Sequence, residues 1–262
     1  MRSRRTPLAL AAAAIMAVAG CSSSPDGTAG VPTPTGTALS GRVTVFAASS
    51  LQESFTELGA AFRAAHPGVE LTFSFGPSSG LAAQIVQGAP ADVFAAASTG
   101  TMKRVLDAGG ASASILFARN ELRIAVPAGA PAKVTGLADL ARADVKVALC
   151  QPQVPCGTVA ATVLRKAGLQ VRPVTLEADV RAVLTKVRLG EVDAGLVYAT
   201  DVLAAGDEVR GIDVAAAVNA STSYPITALT RSPNPAGAEA FVDLVLSARG
   251  QAVLGRAGFG TP

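Results

Sequence analysis

The chain has 262 residues; half of them are apolar and only 16% are charged. This length and composition suit one large core or two modest ones, and they exclude a disordered protein and a coiled coil. One His and three Cys argue against a site with several His or Cys ligands. We therefore expect no metal cation ligands and no cofactor.

The formal net charge of +3 comes from the N-terminus. Arg2, Arg4 and Arg5 lie in the first twenty residues, which contain no acid, and without them 19 basic residues face 19 acidic ones. A chain whose charges balance in this way lacks the excess positive charge that binds nucleic acid, so we expect no nucleic-acid partner.

Residues 1–20 predict an export signal. A basic start precedes an apolar run over residues 8–19, which is shorter than the roughly 20 residues that span a bilayer. The run ends in Val18-Ala-Gly-Cys21, which resembles a bacterial lipoprotein signal and implies a lipid on Cys21. An ordinary signal peptide with an unmodified Cys21 is the alternative. The Ser-, Thr-, Pro- and Gly-rich residues 21–40 predict a flexible tether.

Export implies an oxidising compartment, where two nearby thiols can pair. With Cys21 lipidated, Cys150 and Cys156 remain, and we expect a disulfide that closes the turn between them. Two free buried thiols are the alternative.

From residue 41 onward, short apolar runs alternate with helical patterns, which indicates α/β structure. The predicted strands are 42–47, 69–75, 92–97, 121–126, 145–149, 171–176, 193–198, 212–215 and 224–230. The predicted helices are 51–66, 81–87, 102–108, 158–167, 180–189, 236–247 and 251–258. Two series of this kind favour two lobes over one.

Three loops place small or hydroxyl residues where a helix begins: 47–50, 76–80 and 154–158. The first N–H groups of a helix lack internal partners, and the helix dipole makes this end partly positive. Several such ends could therefore surround a small anion. Capping is the plainer interpretation, because Ser50-Leu-Gln-Glu53 fits a capping box.

The segment Gly76-Pro-Ser78-Ser-Gly80 also matches the nucleophile elbow of α/β-hydrolases. That chemistry needs a His after the Ser, whereas His66 precedes Ser78 and is the only His in the chain. A serine hydrolase is therefore the weaker interpretation, and we expect no enzyme.

Taken in order, six segments resemble the molybdate-binding receptors of bacterial ABC importers. The segments are Val43–Leu51, Phe75–Ile85, Gly88–Phe94, Val154–Gly157, Ala178–Arg181 and Gly195–Tyr198. The resemblance implies a type II periplasmic-binding-protein fold: two lobes, each a mostly parallel sheet flanked by helices, with a ligand cleft between them. It assigns residues 41–122 plus 225–262 to lobe I and residues 123–224 to lobe II.

The resemblance also implies the ligand contacts. Ser50 and Ser78 would donate through hydroxyl and N–H, Cys156 and Val180 through N–H, and Tyr198 through its phenol. Ser49 and Ser79 are the neighbouring choices for the two serines. Pro77 departs from the family pattern and has no N–H, and Cys156 stands where the family commonly has Ala.

The implied function is capture of molybdate, and of tungstate, by a monomer held through Cys21 at the outer face of the cytoplasmic membrane. The implied partners are an ABC permease and its ATPase. A receptor for another tetrahedral oxyanion such as sulfate is the main alternative, and a structural lipoprotein without a ligand is a further one.

Overall fold

Strands and helices alternate along the chain and build one mixed sheet with helices packed against it. The computed structural model describes residues 38–129 and 133–262. The strands are β1 (Ser40–Ala48), β2 (Gly68–Gly76), β3 (Val93–Ala95), β4 (Ile115–Pro127), β5 (Val147–Cys150), β6 (Thr175–Glu177), β7 (Ala194–Tyr198), β8 (Val209–Asp213) and β9 (Ser221–Ala228). The α-helices are α1 (Gln52–Ala65), α2 (Ser78–Val86), α3 (Thr99–Asp107), α4 (Pro155–Lys166), α5 (Val180–Arg188), α6 (Ala199–Ala205), α7 (Pro235–Leu246) and α8 (Ala248–Arg256). Short 3-10 helices cover Ser49–Leu51, Leu137–Ala141 and Gly206–Glu208.

The strand order is β2-β1-β3-β9-β4-β7-β5-β6, with β8 paired to β4. The pairs β1–β2, β1–β3, β5–β6 and β5–β7 are parallel, as expected for βαβ units. The pairs that involve β9, β4 and β8 are antiparallel. The α/β fold predicted from the sequence is confirmed, and its antiparallel pairs lie between the two parallel groups.

We call β1–β3 with α1–α3 the β1 side of the sheet, and β5–β7 with α4–α6 the β7 side. Strand β4 joins them, because its residues up to Glu121 pair with β9 and its residues from Leu122 pair with β7. Strand β9 returns the chain beside β3, after which α7 and α8 pack on the β1 side.

Each side of the sheet has its own apolar core. Phe55 and Phe241 lie in the largest cluster of the β1 side, and Met102 lies in a smaller one there. Val183 and Leu196 lie in the cluster of the β7 side. Removal of these side chains from water is the main force that fixes the helices on the sheet. Ala38–Pro262 form one compact unit, and the division into two lobes at 122/123 and 224/225 stays a prediction.

The predicted signal peptide (1–20), Cys21 and most of the predicted tether lie outside the described residues. The end of that tether differs from the prediction, because Ser40 already pairs with Gly68 in the sheet. Within the described part of the chain, no helix combines the length and hydropathy needed to cross a bilayer.

Candidate functional site

Four helix starts and the end of β7 meet at one pocket between the two sides of the sheet. The β1 side contributes Ser49 and Ser50 from the first 3-10 helix and Ser78 from the start of α2. The β7 side contributes the residues Cys156, Val180 and Tyr198. The pocket contains about 230 Å³ of empty space, including solvent at its mouth. All five residues predicted to bind the ligand therefore line the same pocket, together with the alternative Ser49.

This convergence follows from the strand pattern. Parallel neighbours β1 and β2 end at the same edge of the sheet, at Ala48 and Gly76, and helices begin directly after them. On the other side, β5 and β7 are likewise parallel. Ligands of α/β proteins gather beyond such carboxyl ends, where helix N-termini point inward.

The hydroxyls of Ser50 and Ser78, on the β1 side, each contact a buried neighbour beside the pocket. The Ala97 N–H donates to Ser78 Oγ at 3.0 Å, so the hydroxyl accepts there and keeps its own hydrogen for another partner. Ser50 Oγ lies 2.8 Å from Tyr224 Oη. The capping-box interpretation of Ser50 is wrong, because no side-chain hydrogen bond caps the 3-10 helix or α1.

The start of α4 is shaped by a tight loop. Cys150 and Cys156 are joined by a disulfide, with their Cα atoms 5.8 Å apart. A Cβ at Gly157 would lie 1.9 Å from the Gln151 carbonyl oxygen, so only glycine lets the loop fold back this closely. No hydrogen bond among the described residues uses the Cys156 N–H, which stands in the first turn of the helix.

The start of α5 is capped so that one N–H stays free. The Asp179 carboxylate accepts from the N–H groups of Arg181 and Ala182 at 2.9 and 3.1 Å. The Val180 N–H, the first of the helix, takes part in none of the hydrogen bonds of the described residues. Arg181 also reaches across to Glu53 on α1, with 2.5 Å between Nη1 and Oε1. This ion pair therefore links the two sides beside the pocket.

Tyr198 supplies the most informative atom of the site. Its side chain is only 1% exposed, and its hydroxyl is the one buried side-chain polar atom in the described residues that has no hydrogen-bond partner. Burial raises the Tyr198 pKa well above its usual value, so the phenol stays protonated and can donate at neutral pH. A buried unpaired hydroxyl costs about 1–3 kcal/mol, which a bound acceptor would relieve.

A buried carboxyl lies behind Tyr198. The Tyr198 N–H donates to Asp201 Oδ2 at 2.9 Å. Burial raises the pKa of Asp201 to about 7, opposed by this hydrogen bond and by the charge of Arg181. Since Asp201 sits in the first turn of α6, its carboxyl orients the end of β7 that carries the phenol.

The pocket offers donors and lacks the parts of a hydrolase. Asp179 is the only charged residue among those that line it, and two main-chain N–H groups engage its carboxylate. His66 follows the far end of α1, where its ring packs on Phe62 with 4.7 Å between ring centres. Ser78 therefore has no imidazole base in its pocket.

Three residues around the site escape prediction from sequence. Asn120 and Tyr224 are buried behind Ser50, and Asp201 lies behind Tyr198. Asp201 had a detectable signal, since an acid three residues after a strand end is typical of a helix start. No sequence pattern marks Asn120.

A two-sided α/β sheet with a donor-lined pocket between its sides is the arrangement of an extracellular binding protein for a small solute. The family of bacterial extracellular solute-binding proteins matches residues 43–260, and the chain belongs to it. Membership in this family places the chain among binding proteins, not among enzymes.

Relatives in the family carry more specific names. The molybdate-binding protein ModA of Mycobacterium tuberculosis H37Rv is 42% identical over 221 residues, which cover 84% of this chain and 85% of the relative. A putative ABC transporter substrate-binding lipoprotein of Bacillus subtilis, YvgL, is 31% identical over 94% of both chains. The Azotobacter vinelandii periplasmic molybdate-binding protein has the same fold, with a TM-score of 0.75 at 22% identity over 84% of this chain and 99% of that structure.

Proposed function

We propose that this protein captures molybdate, and also tungstate, in the pocket between the two sides of its sheet. The observation that carries the proposal is the unpaired phenol of Tyr198, buried in a pocket where main-chain N–H groups from α4 and α5 also lack protein acceptors. The similarity to ModA of M. tuberculosis supports molybdate as the ion.

The chemistry of the ion suits these donors. Molybdate at neutral pH is a tetrahedral dianion without protons, so it can only accept hydrogen bonds. Ser50 and Ser78 would each donate an O–H and an N–H group, Cys156 and Val180 would donate N–H groups, and Tyr198 would donate its phenol O–H. Helix dipoles then balance the charge without a basic side chain.

The same donors disfavour the competing anions. Protonated phosphate would bring a donor into a site whose one carboxylate, that of Asp179, already accepts two main-chain N–H groups, and a donor left unpaired there would cost about 1–3 kcal/mol. Sulfate carries the same charge as molybdate on shorter bonds, so the size of the cavity must reject it. Tungstate is close to molybdate in size and should bind. Sulfate remains the second candidate ligand, on the grounds of its charge and lack of protons.

Delivery would require export and a membrane partner. We propose that Cys21 is lipidated and that the following residues tether a monomeric receptor to the outer face of the cytoplasmic membrane. The ligand-bound receptor would dock on an ABC permease driven by its ATPase. The lipoprotein name of the B. subtilis relative supports this proposal. Mass spectrometry of the native protein should find a lipid on Cys21, and an unmodified Cys21 would contradict the anchor.

Calorimetric titration of the purified protein with molybdate, tungstate, sulfate and phosphate tests the ligand. We expect tight binding of molybdate and tungstate, and much weaker binding of the other two. Sulfate binding as tight as molybdate would reject the assignment. Ser78→Ala should weaken molybdate binding, and no esterase activity should be present to lose.

A further inference from the structure

A buried chain of hydrogen bonds runs from strands β4 and β9 to the pocket. Asn120 on β4, Tyr224 on β9 and Ser50 are 3%, 0% and 5% exposed. Asn120 Nδ2 donates to Thr200 Oγ1 at 2.8 Å and to Tyr224 Oη at 3.5 Å, and Tyr224 Oη lies 2.8 Å from Ser50 Oγ. Tyr224 itself does not line the pocket, so any effect on a ligand must pass through a neighbour that does: Ser50, or Tyr198, whose ring centre lies 6.2 Å from that of Tyr224.

The orientation of the Asn120 amide is set by one main-chain group. The Glu121 N–H donates to Asn120 Oδ1 at 3.0 Å, and because an N–H can only donate, the amide oxygen must be on that side. The Asn120 NH₂ group therefore faces Tyr224 and Thr200, and the Tyr224 oxygen accepts from it. Either oxygen of the 2.8 Å contact between Tyr224 and Ser50 could donate, but once Ser50 gives its own hydrogen to a ligand, only the Tyr224 hydrogen is left to fill that contact.

The Ser50 hydroxyl then has a fixed role. Its oxygen accepts from Tyr224, so its own hydrogen is free for the pocket. We propose that Asn120 and Tyr224 are positioning residues that hold Ser50 as a hydrogen-bond donor toward the ligand and so favour anions without protons. This inference rests on the proposed function, because it concerns the same pocket.

Selectivity is the expected consequence. With Tyr224 in place, Ser50 presents a hydrogen to the ligand, and a protonated oxyanion would place its own hydrogen against it. Without the Tyr224 hydroxyl, Ser50 can rotate and accept from such an anion. Removal of the Tyr224 hydroxyl should therefore weaken molybdate binding and reduce the preference for molybdate over phosphate.

The test is Tyr224→Phe, which removes one oxygen and keeps the ring. Calorimetry should show about tenfold weaker molybdate binding, and the ratio of phosphate Kd to molybdate Kd should fall. Thr227→Val is the matched control, since Thr227 is a buried hydroxyl on the same strand that donates to the carbonyls of Ala113 and Ala228. It should leave both dissociation constants unchanged.

A double-mutant cycle separates positioning from a general structural effect. In a Ser50→Ala background, Tyr224→Phe should cause no further loss, because its effect passes through Ser50. An equal loss in both backgrounds, or wild-type binding and selectivity in Tyr224→Phe, would overturn the inference. If Tyr224→Phe does not unfold cooperatively, Asn120→Leu replaces it, with a severalfold loss expected and no change as the contradicting result. Failure of the wild-type protein to bind molybdate would instead overturn the proposed function.

Discussion

The two sides of the sheet offer donors of different kinds to the pocket. The β1 side offers the hydroxyls of Ser50 and Ser78 in addition to their main-chain N–H groups, and both hydroxyls contact neutral neighbours. The β7 side offers main-chain N–H groups, at Cys156 and Val180, and one unpaired phenol. A hydroxyl can be removed by changing a side chain, whereas a main-chain donor can be removed only by changing the backbone.

The supports behind the donors differ as well. Ser50 is backed by Tyr224 and Asn120, which carry no charge at neutral pH, and burial raises the pKa of Tyr224. Tyr198 is backed by Asp201, whose pKa lies near neutrality. The pH dependence of folding stability should therefore come from the β7 side. Substitutions on that side should include some that change mainly stability and others that change mainly molybdate affinity.

The largest expected effect concerns Asp201. Its pKa rises from 3.8 to about 7 on folding, so the folded state favours the protonated form, and the contribution to stability is lost as pH rises through this window. Wild-type stability should fall relative to Asp201→Asn by about 1.4 kcal/mol per pH unit between about pH 4 and 7. Urea unfolding of both proteins across this range measures it. A difference that does not change with pH would contradict the buried-acid account.

Val180→Pro should have the next largest effect. Proline is tolerated at the first position of a helix, and Asp179 already has the extended backbone that precedes proline, with φ −152° and ψ 174°. The change therefore removes the N–H and little else of the backbone. Loss of a hydrogen bond to a charged group, about 1.5–3 kcal/mol, predicts ten- to hundredfold weaker molybdate binding by calorimetry.

Val180→Ala is the matched control for this change. It trims the same buried side chain and keeps the N–H, so thermal unfolding should shift while molybdate affinity stays within about twofold. Equal loss of affinity in both variants would mean that the side chain, and not the N–H, matters.

The disulfide tests how firmly the α4 donor is held. Replacing both Cys150 and Cys156 with Ala should lower the free energy of unfolding by about 2 kcal/mol, since the closed loop is short. Molybdate binding should weaken severalfold, because the Cys156 N–H is then less fixed. Wild-type stability together with wild-type affinity would show that the loop is held without the bond. Reducing the wild-type protein should give the same result as the double substitution.

Sequence and structure agree best where local patterns decide. The helices after β1, β2 and β5 begin where small or hydroxyl residues follow a strand, and α5 begins at the predicted Val180. The starts of α2 and α4 come three residues earlier than the predicted 81 and 158, because periodicity detects apolar positions and not caps. Helix α6 was absent from the prediction, since Tyr198 ends a strand and the short helix after it has little periodicity of its own.

Long-range contacts explain what the sequence did not reveal. Asn120, Tyr224 and Ser50 are up to 174 positions apart, and the sheet brings them together, because β9 pairs with β4 and is joined to β1 through β3. The site residues themselves were found through resemblance, because no spacing rule connects Ser50 with Tyr198.

The smallest expected effect concerns the ion pair between the sides. The side chains of Arg181 and Glu53 are 26% and 45% exposed, so their attraction is screened by solvent and salt. Glu53→Gln should weaken molybdate binding by less than about fivefold, and the difference from wild type should shrink in high salt. A tenfold or salt-independent loss would mean that this contact does more than hold the sides together.

Tyr198→Phe tests the central claim most directly, because it should raise the stability of the ligand-free protein and lower its affinity for molybdate. Without ligand, the variant should be more stable than wild type by about 1 kcal/mol, since a buried unpaired hydroxyl is gone. With molybdate, the variant should bind about tenfold more weakly and gain less stability from the ligand. Paired chemical unfolding with and without molybdate gives both quantities. Unchanged molybdate affinity in a stable Tyr198→Phe protein would contradict the claim that this phenol is a donor to the bound anion.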